Sequence, residues 1–174
     1  MPSLQGILVT AVTIVGVLLF SPHPSFANSP ATPADIVRAV LAAPDNRLDY
    51  AQAKLEFDRI IDPSIKPDDV TAKLNKLAGI ANDMAGAGAG ERVKLTALQK
   101  LIYQAGPWND GRPFSYDLAD PSGLDIRHKL LSTYLTTRQG NCVSMPILFL
   151  ILADRMGLSG AALADAPSHV HSLH

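Results

Sequence analysis

Cys142 is the only cysteine in the chain. It stands in Arg138-Gln139-Gly140-Asn141-Cys142-Val143-Ser144-Met145-Pro146, at the point where turn residues give way to an almost unbroken apolar run. A histidine follows in Ala166-Pro167-Ser168-His169-Val170. The reactive form of cysteine is the thiolate, and the free N–H groups and dipole at a helix N-terminus favour negative charge there. The same backbone donors, at Asn141 and Cys142, suit the oxyanion of a tetrahedral intermediate. His169, folded back beside the helix, could take the thiol proton and return it to a leaving group. A third polar group, Asp or Asn, would orient the imidazole. By spacing and composition alone a lone cysteine beside an apolar run is more often a packed core residue, so both readings stand at this point.

The elements that would position these residues follow from hydrophobic periodicity and caps. Thr32-Pro33 with Asp35 starts a short helix to about Ala43, closed by Pro44-Asp45-Asn46. Asp49 caps a second helix with Tyr50, Ala53, Phe57, Ile60 and Ile61 on its inner face, ended by Asp62-Pro63. Pro67-Asp68-Asp69 opens a third, with Val70, Leu74, Leu77, Ala78, Ala81 and Met84 inward. Gly86 to Gly90 lacks the Lys-Ser/Thr ending of a phosphate loop and reads as a connector. A fourth helix from Glu91 turns Val93, Leu98, Leu101, Ile102 and Ala105 inward. A turn-rich stretch and an ordered loop over Phe114 to Gly123 precede a fifth helix capped at Ser122, with Leu124, Leu130, Leu131, Tyr134 and Leu135 buried. The helix behind Cys142 runs to about Met156; it is apolar all round, hence central, and too short to cross a membrane. Gly160 to Ala164 is a short strand leading to His169.

Composition sets the class. The 174 residues carry a formal net charge of −1 with no basic block, which excludes the clustered electrostatic footprint of a nucleic-acid binder. Residues 1–27 read as a signal peptide: an uncharged apolar run from Gly6 to Phe20, a break at Ser21-Pro22-His23-Pro24, and small residues in Ser25-Phe26-Ala27 for cleavage after Ala27. The alternative is an uncleaved anchor, for which the run is short of the ~20 residues a span needs. A periplasmic or secreted protein with no membrane contact after cleavage is expected. Exported proteins use cysteines in disulfide pairs, so one unpaired cysteine is a link to another chain, a reactive thiol or a small buried residue. Residues 28–47 form a linker and short helix, and 48–174 the main domain.

From about Leu48 to Val170 the chain resembles the bacterial transglutaminase-like superfamily, in the branch with a helical region before the core. The residues that carry the likeness are Tyr116-Asp117 with Pro121 and Leu124, then Thr137 to Pro146 around Arg138-Gln139-Gly140-Asn141-Cys142, then Leu148 to Leu158, and Ala166-Pro167-Ser168-His169-Val170. The resemblance implies an α+β, papain-like core: a helical part over 48–136 and a catalytic core over 137–174. In this chain it would be mostly α-helical, with a short, incomplete antiparallel sheet at the C-terminus. It assigns Cys142 as nucleophile and His169 as base, for acyl transfer through a thioester on a peptide or protein substrate, without a cofactor. Family members continue past the histidine to an acidic partner on the next strand, whereas here the sequence reads His171-Ser172-Leu173-His174. A truncated or impaired cysteine hydrolase is therefore the expectation, and a non-catalytic protein-binding domain on the same scaffold is the alternative.

Other residues have blander readings. The histidines of His169-Val170-His171-Ser172-Leu173-His174 could chelate zinc or copper with Cys142, but a solvated terminus is the preferred reading and no metal ligand is assigned. Trp108 packs under its loop, and Tyr116 supports the cleft. Asp117, Asp125 and Asp154 cap or face solvent, and Arg138 is a structural partner of the cysteine turn.

Overall fold

Helix starts are set by local chemistry. In the computed structural model, which describes residues 32–44, 48–159, 162–166 and 169–173 (the last two stretches as backbone), α1 (Pro33–Ala42) begins at a capping box. Thr32 Oγ1 accepts the Asp35 N–H and the Asp35 carboxylate accepts the Thr32 N–H. Asp49 caps α2 (Tyr50–Ile61) through the Gln52 N–H at 2.9 Å. Pro67 opens α3 (Pro67–Ala85), and α4 is Glu91–Tyr103. A 3-10 turn at Pro107–Asn109 leads to β1 (Ser115–Tyr116), and a second at Ile126–Lys129 leads to α5 (Leu131–Thr137). Then come β2 (Gln139–Gly140), α6 (Ser144–Arg155), β3 (Ala162–Ala166) and β4 (His169–Leu173). These elements belong to one unit, Ala31–His174. The expected signal segment, residues 1–27, lies outside the described residues.

The molecule is mostly helical. α6 is the central helix: Leu148 through Ala153 are buried without a break, and α2, α3, α4 and α5 all pack on it. The core around it is Leu55, Val70, Leu74, Ala78, Ala81, Leu98, Leu101, Ile102, Leu131 and Tyr134. Among the described residues two small ladders complete the fold. β1 and β2 pair in parallel, Ser115 with Gln139 and Tyr116 with Gly140, a ladder separate from the antiparallel sheet expected at the C-terminus. The parallel pair arises because the loop after α4 runs alongside the segment leading into Cys142, and two-residue strands carry no periodicity to read. β3 and β4 form a separate antiparallel hairpin, Ala162 opposite Leu173 and Ala166 opposite His169, which packs against α6.

Three elements differ from the sequence reading. α2 buries Ala51, Leu55 and Asp58, while Phe57, Ile60 and Ile61 are exposed. The helix is rotated because Asp58 is used inside, where its carboxylate accepts the Leu131 N–H at 2.8 Å and is paired with Lys54. On α4, Val93 faces solvent, and Ala105 lies beyond the helix end and is exposed. The expected fifth helix is two pieces. Asp125, not Ser122, caps the 3-10 turn by accepting the Arg127 N–H, extended backbone at Leu130 (ψ 136°) breaks the run, and Leu124 is 89 % exposed.

Candidate functional site

The turn ahead of α6 is built by Gly140, Asn141 and Ser144. Asn141 is 1 % exposed, and its side-chain Oδ1 accepts the N–H groups of Val143 (3.0 Å) and Ser144 (3.1 Å). Its carbonyl accepts the Met145 N–H at 3.1 Å, so the α-helical bonding starts at Asn141 and Cys142 occupies the first turn. Asn141 thus satisfies two of the N–H groups that a helix N-terminus leaves open. Ser144 closes the turn from inside: its buried Oγ accepts the Asn141 N–H at 3.0 Å.

The lack of a side chain at residue 140 is a packing requirement. A Cβ there would stand 2.6 Å from both Ser144 Oγ and the Tyr134 ring. Tyr134, fully buried on α5, stacks edge-on against Phe114 at 5.1 Å and forms the floor of the turn. Burial raises the pKa of its phenol, and its hydroxyl has no hydrogen-bond partner among the described residues.

Cys142 is half-buried and its thiol is free. Of the two backbone donors expected to face an oxyanion, the Asn141 N–H points inward to Ser144 and is already used. That leaves the Cys142 N–H, which has no partner among the described residues. His169 is the first residue of β4, paired with Ala166, and β4 packs on the helix that begins behind Cys142. The fold therefore brings the two elements together; the His169 side chain, like those of His171 and His174, lies outside the described residues. Among the described residues no group of His, Cys, Asp and Glu side chains could hold a metal ion.

Other candidates take structural positions. Arg138, in the left-handed region (φ 60°), donates to the Asn109 carbonyl at 2.5 Å and to the Arg112 carbonyl, with its guanidinium over the Phe114 ring. Trp108 Nε1 lies 3.2 Å from the carbonyls of Lys100 and Gln104. Tyr116 donates to the Pro121 carbonyl at 2.7 Å. Asp117 takes the capping rather than the solvent-facing position: it is 7 % exposed, its carboxylate accepts the Ala119 and Asp120 N–H groups, and its own N–H donates to the Gly140 carbonyl at 2.7 Å. Two residues of this neighbourhood were not singled out by the sequence. Asp120 and His128 lie 2.8 Å apart (Oδ2 to Nδ1), with Asp117 Oδ2 at 3.4 Å. The dense Asp-x-x-Asp-Pro-Ser-Gly turn chemistry from Asp117 to Gly123 was the available signal.

Compared with known proteins, the chain matches no family model, no curated protein and no solved structure.

Proposed function

We propose that this chain is an exported transglutaminase-like cysteine hydrolase, cleaving or transferring peptide or amide acyl groups through a thioester. The observation that supports this best is the seat of Cys142: a half-buried, unpaired thiol on the first turn of the central helix. Asn141 fixes that turn while the Cys142 N–H is left over. In this reading Cys142 Sγ attacks the substrate carbonyl carbon, and its own N–H faces the developing oxyanion. His169 takes the thiol proton and delivers it to the departing amine as the C–N bond breaks. Water or a second amine then releases the acyl group and regenerates the thiol. The resemblance around Arg138-Gln139-Gly140-Asn141-Cys142 supplies the reaction class, and the packing of β4 on α6 agrees with His169 as base.

The second reading is a protein-binding domain without chemistry. It is favoured by Leu118, Leu124 and Ile126, which stand 83 %, 89 % and 47 % exposed on the loop beside the cysteine turn.

Iodoacetamide labelling separates the two. Because Cys142 is the only thiol, the native protein and the same protein in urea give a clean ratio of rates at pH 6. A nucleophile predicts native labelling faster by about tenfold or more. Native labelling no faster than in urea, or amidase activity that survives Cys142→Ala, would remove the enzymatic reading.

A further inference from the structure

The loop between β1 and α5 folds on two carboxylates. Asp117 Oδ1 accepts the N–H groups of Ala119 (2.9 Å) and Asp120 (3.2 Å). Asp120 accepts Leu124 N–H on Oδ1 at 2.7 Å and Asp125 N–H on Oδ2 at 3.1 Å. The Leu124 N–H first, then the Asp125 N–H and the His128 ring, hold the Asp120 carboxyl below its usual range. A carboxylate only accepts, so His128 Nδ1, 2.8 Å from Asp120 Oδ2, must carry the proton.

The same loop closes on the residue next to Cys142. The Asp117 N–H binds the carbonyl of Gly140 at 2.7 Å. The His128 carbonyl accepts Asn141 Nδ2 at 3.4 Å. Gly123 (φ +59°) approaches the same amide so closely that a Cβ there would stand 2.7 Å from Asn141 Nδ2. The start of the loop therefore holds Gly140, and its tip and end converge on Asn141, whose Oδ1 holds the Val143 and Ser144 N–H groups.

We propose that His128 is a positioning residue of the cysteine turn: its ring bridges Asp117 and Asp120, which seats its own carbonyl and Gly123 against Asn141 and so fixes the turn that leads from Cys142 into α6. The consequence for reactivity rests on Cys142 being the nucleophile; the placement of Asn141 does not.

Hydrogen exchange and labelling on the full chain test the two parts separately. His128→Ala should speed exchange at the Val143 and Ser144 amides about five- to tenfold, with Leu74 and Ala78 in α3 unchanged, and slow Cys142 labelling by a similar factor. His128→Gln, which keeps a polar side chain but no donor at the Nδ1 site, should behave alike and serves where the alanine variant fails to fold. His128→Asn, whose amide can donate near the Nδ1 position, should restore both readouts. Unchanged exchange at Val143 and Ser144 would overturn the proposal. So would an equal rise at Leu74 and Ala78, or an asparagine variant no better than the glutamine one. If wild-type Cys142 is no faster than a free thiol, the enzymatic reading fails, and the exchange rates still decide the role of His128.

Discussion

Gly140 is the tightest point of the cysteine turn. A methyl there would meet Ser144 Oγ and the Tyr134 ring at 2.6 Å, inside contact distance for both. Neither neighbour has room to yield, since Ser144 and Tyr134 are fully buried. Gly140→Ala should cost about 1–3 kcal/mol in urea unfolding; an unchanged midpoint would mean the turn is looser than its geometry indicates. Tyr134 offers the opposite case. Its hydroxyl is buried with no partner among the described residues, and an unsatisfied buried polar group costs ~1–3 kcal/mol. Tyr134→Phe keeps the ring against Phe114 and removes the orphan, so its melting temperature should rise. A fall would show that the hydroxyl has a partner in solution. The Gly-Asn-Cys stretch was legible because each residue has one dominant role: no side chain, a capping amide, a thiol. Its floor was not, because Tyr134 reads as one more apolar position in a helix.

At the scale of elements, the departures from periodicity come from polar side chains that take over backbone groups. Leu124 fits a helical stripe with Leu131 and Leu135, yet Asp120 takes its N–H and Asp125 caps the turn that follows. Short-range carboxylate bonds win over a hydrophobic pattern that has no core to face. Helices α1 and α3 were readable because a proline at the first position and acidic residues in the first turn mark their starts, and α6 because its run is apolar throughout. The loop from Asp117 to Lys129 should consequently respond to acid. The Asp125 carboxyl is held near a pKa of about 2, chiefly by hydrogen bonds from Arg127, and Asp120 is lowered as well. Both folded values lie below the ordinary ~3.9. The stabilisation is therefore fully present above about pH 4 and is lost as pH falls through the folded values. Exchange at the Leu124 and Arg127 amides, corrected for its intrinsic pH dependence, should accelerate between about pH 4 and pH 2. Asp120→Asn should flatten that profile at Leu124, and a profile identical to wild type would separate the loop from its carboxylates.

Across the whole molecule, the link that periodicity conceals is Asp58. A charged residue in an amphipathic helix normally faces solvent, and the apolar stripe of Tyr50, Ala53, Phe57, Ile60 and Ile61 turns α2 the wrong way about its axis. Asp58 is instead completely buried, and it caps α5 from a position 73 residues earlier by accepting the Leu131 N–H. Lys54 pairs with it and also donates to the Lys129 carbonyl at 3.0 Å. One acid thus fixes the start of the helix that carries Tyr134 beneath the cysteine turn. Removing one member of a buried pair leaves the other uncompensated, a loss of about 3–5 kcal/mol. Asp58→Ala should therefore shift the urea midpoint strongly at unchanged m-value, since the folded surface is the same. Asp58→Asn should cost less, because its amide oxygen can still accept the Leu131 N–H while only the charge opposite Lys54 is gone. Equal losses in the two variants would place the stabilisation in the ion pair alone. A loss in the alanine variant confined to α2, with exchange at Tyr134 unaffected, would show that the carboxylate does not join α2 to the helix under Cys142.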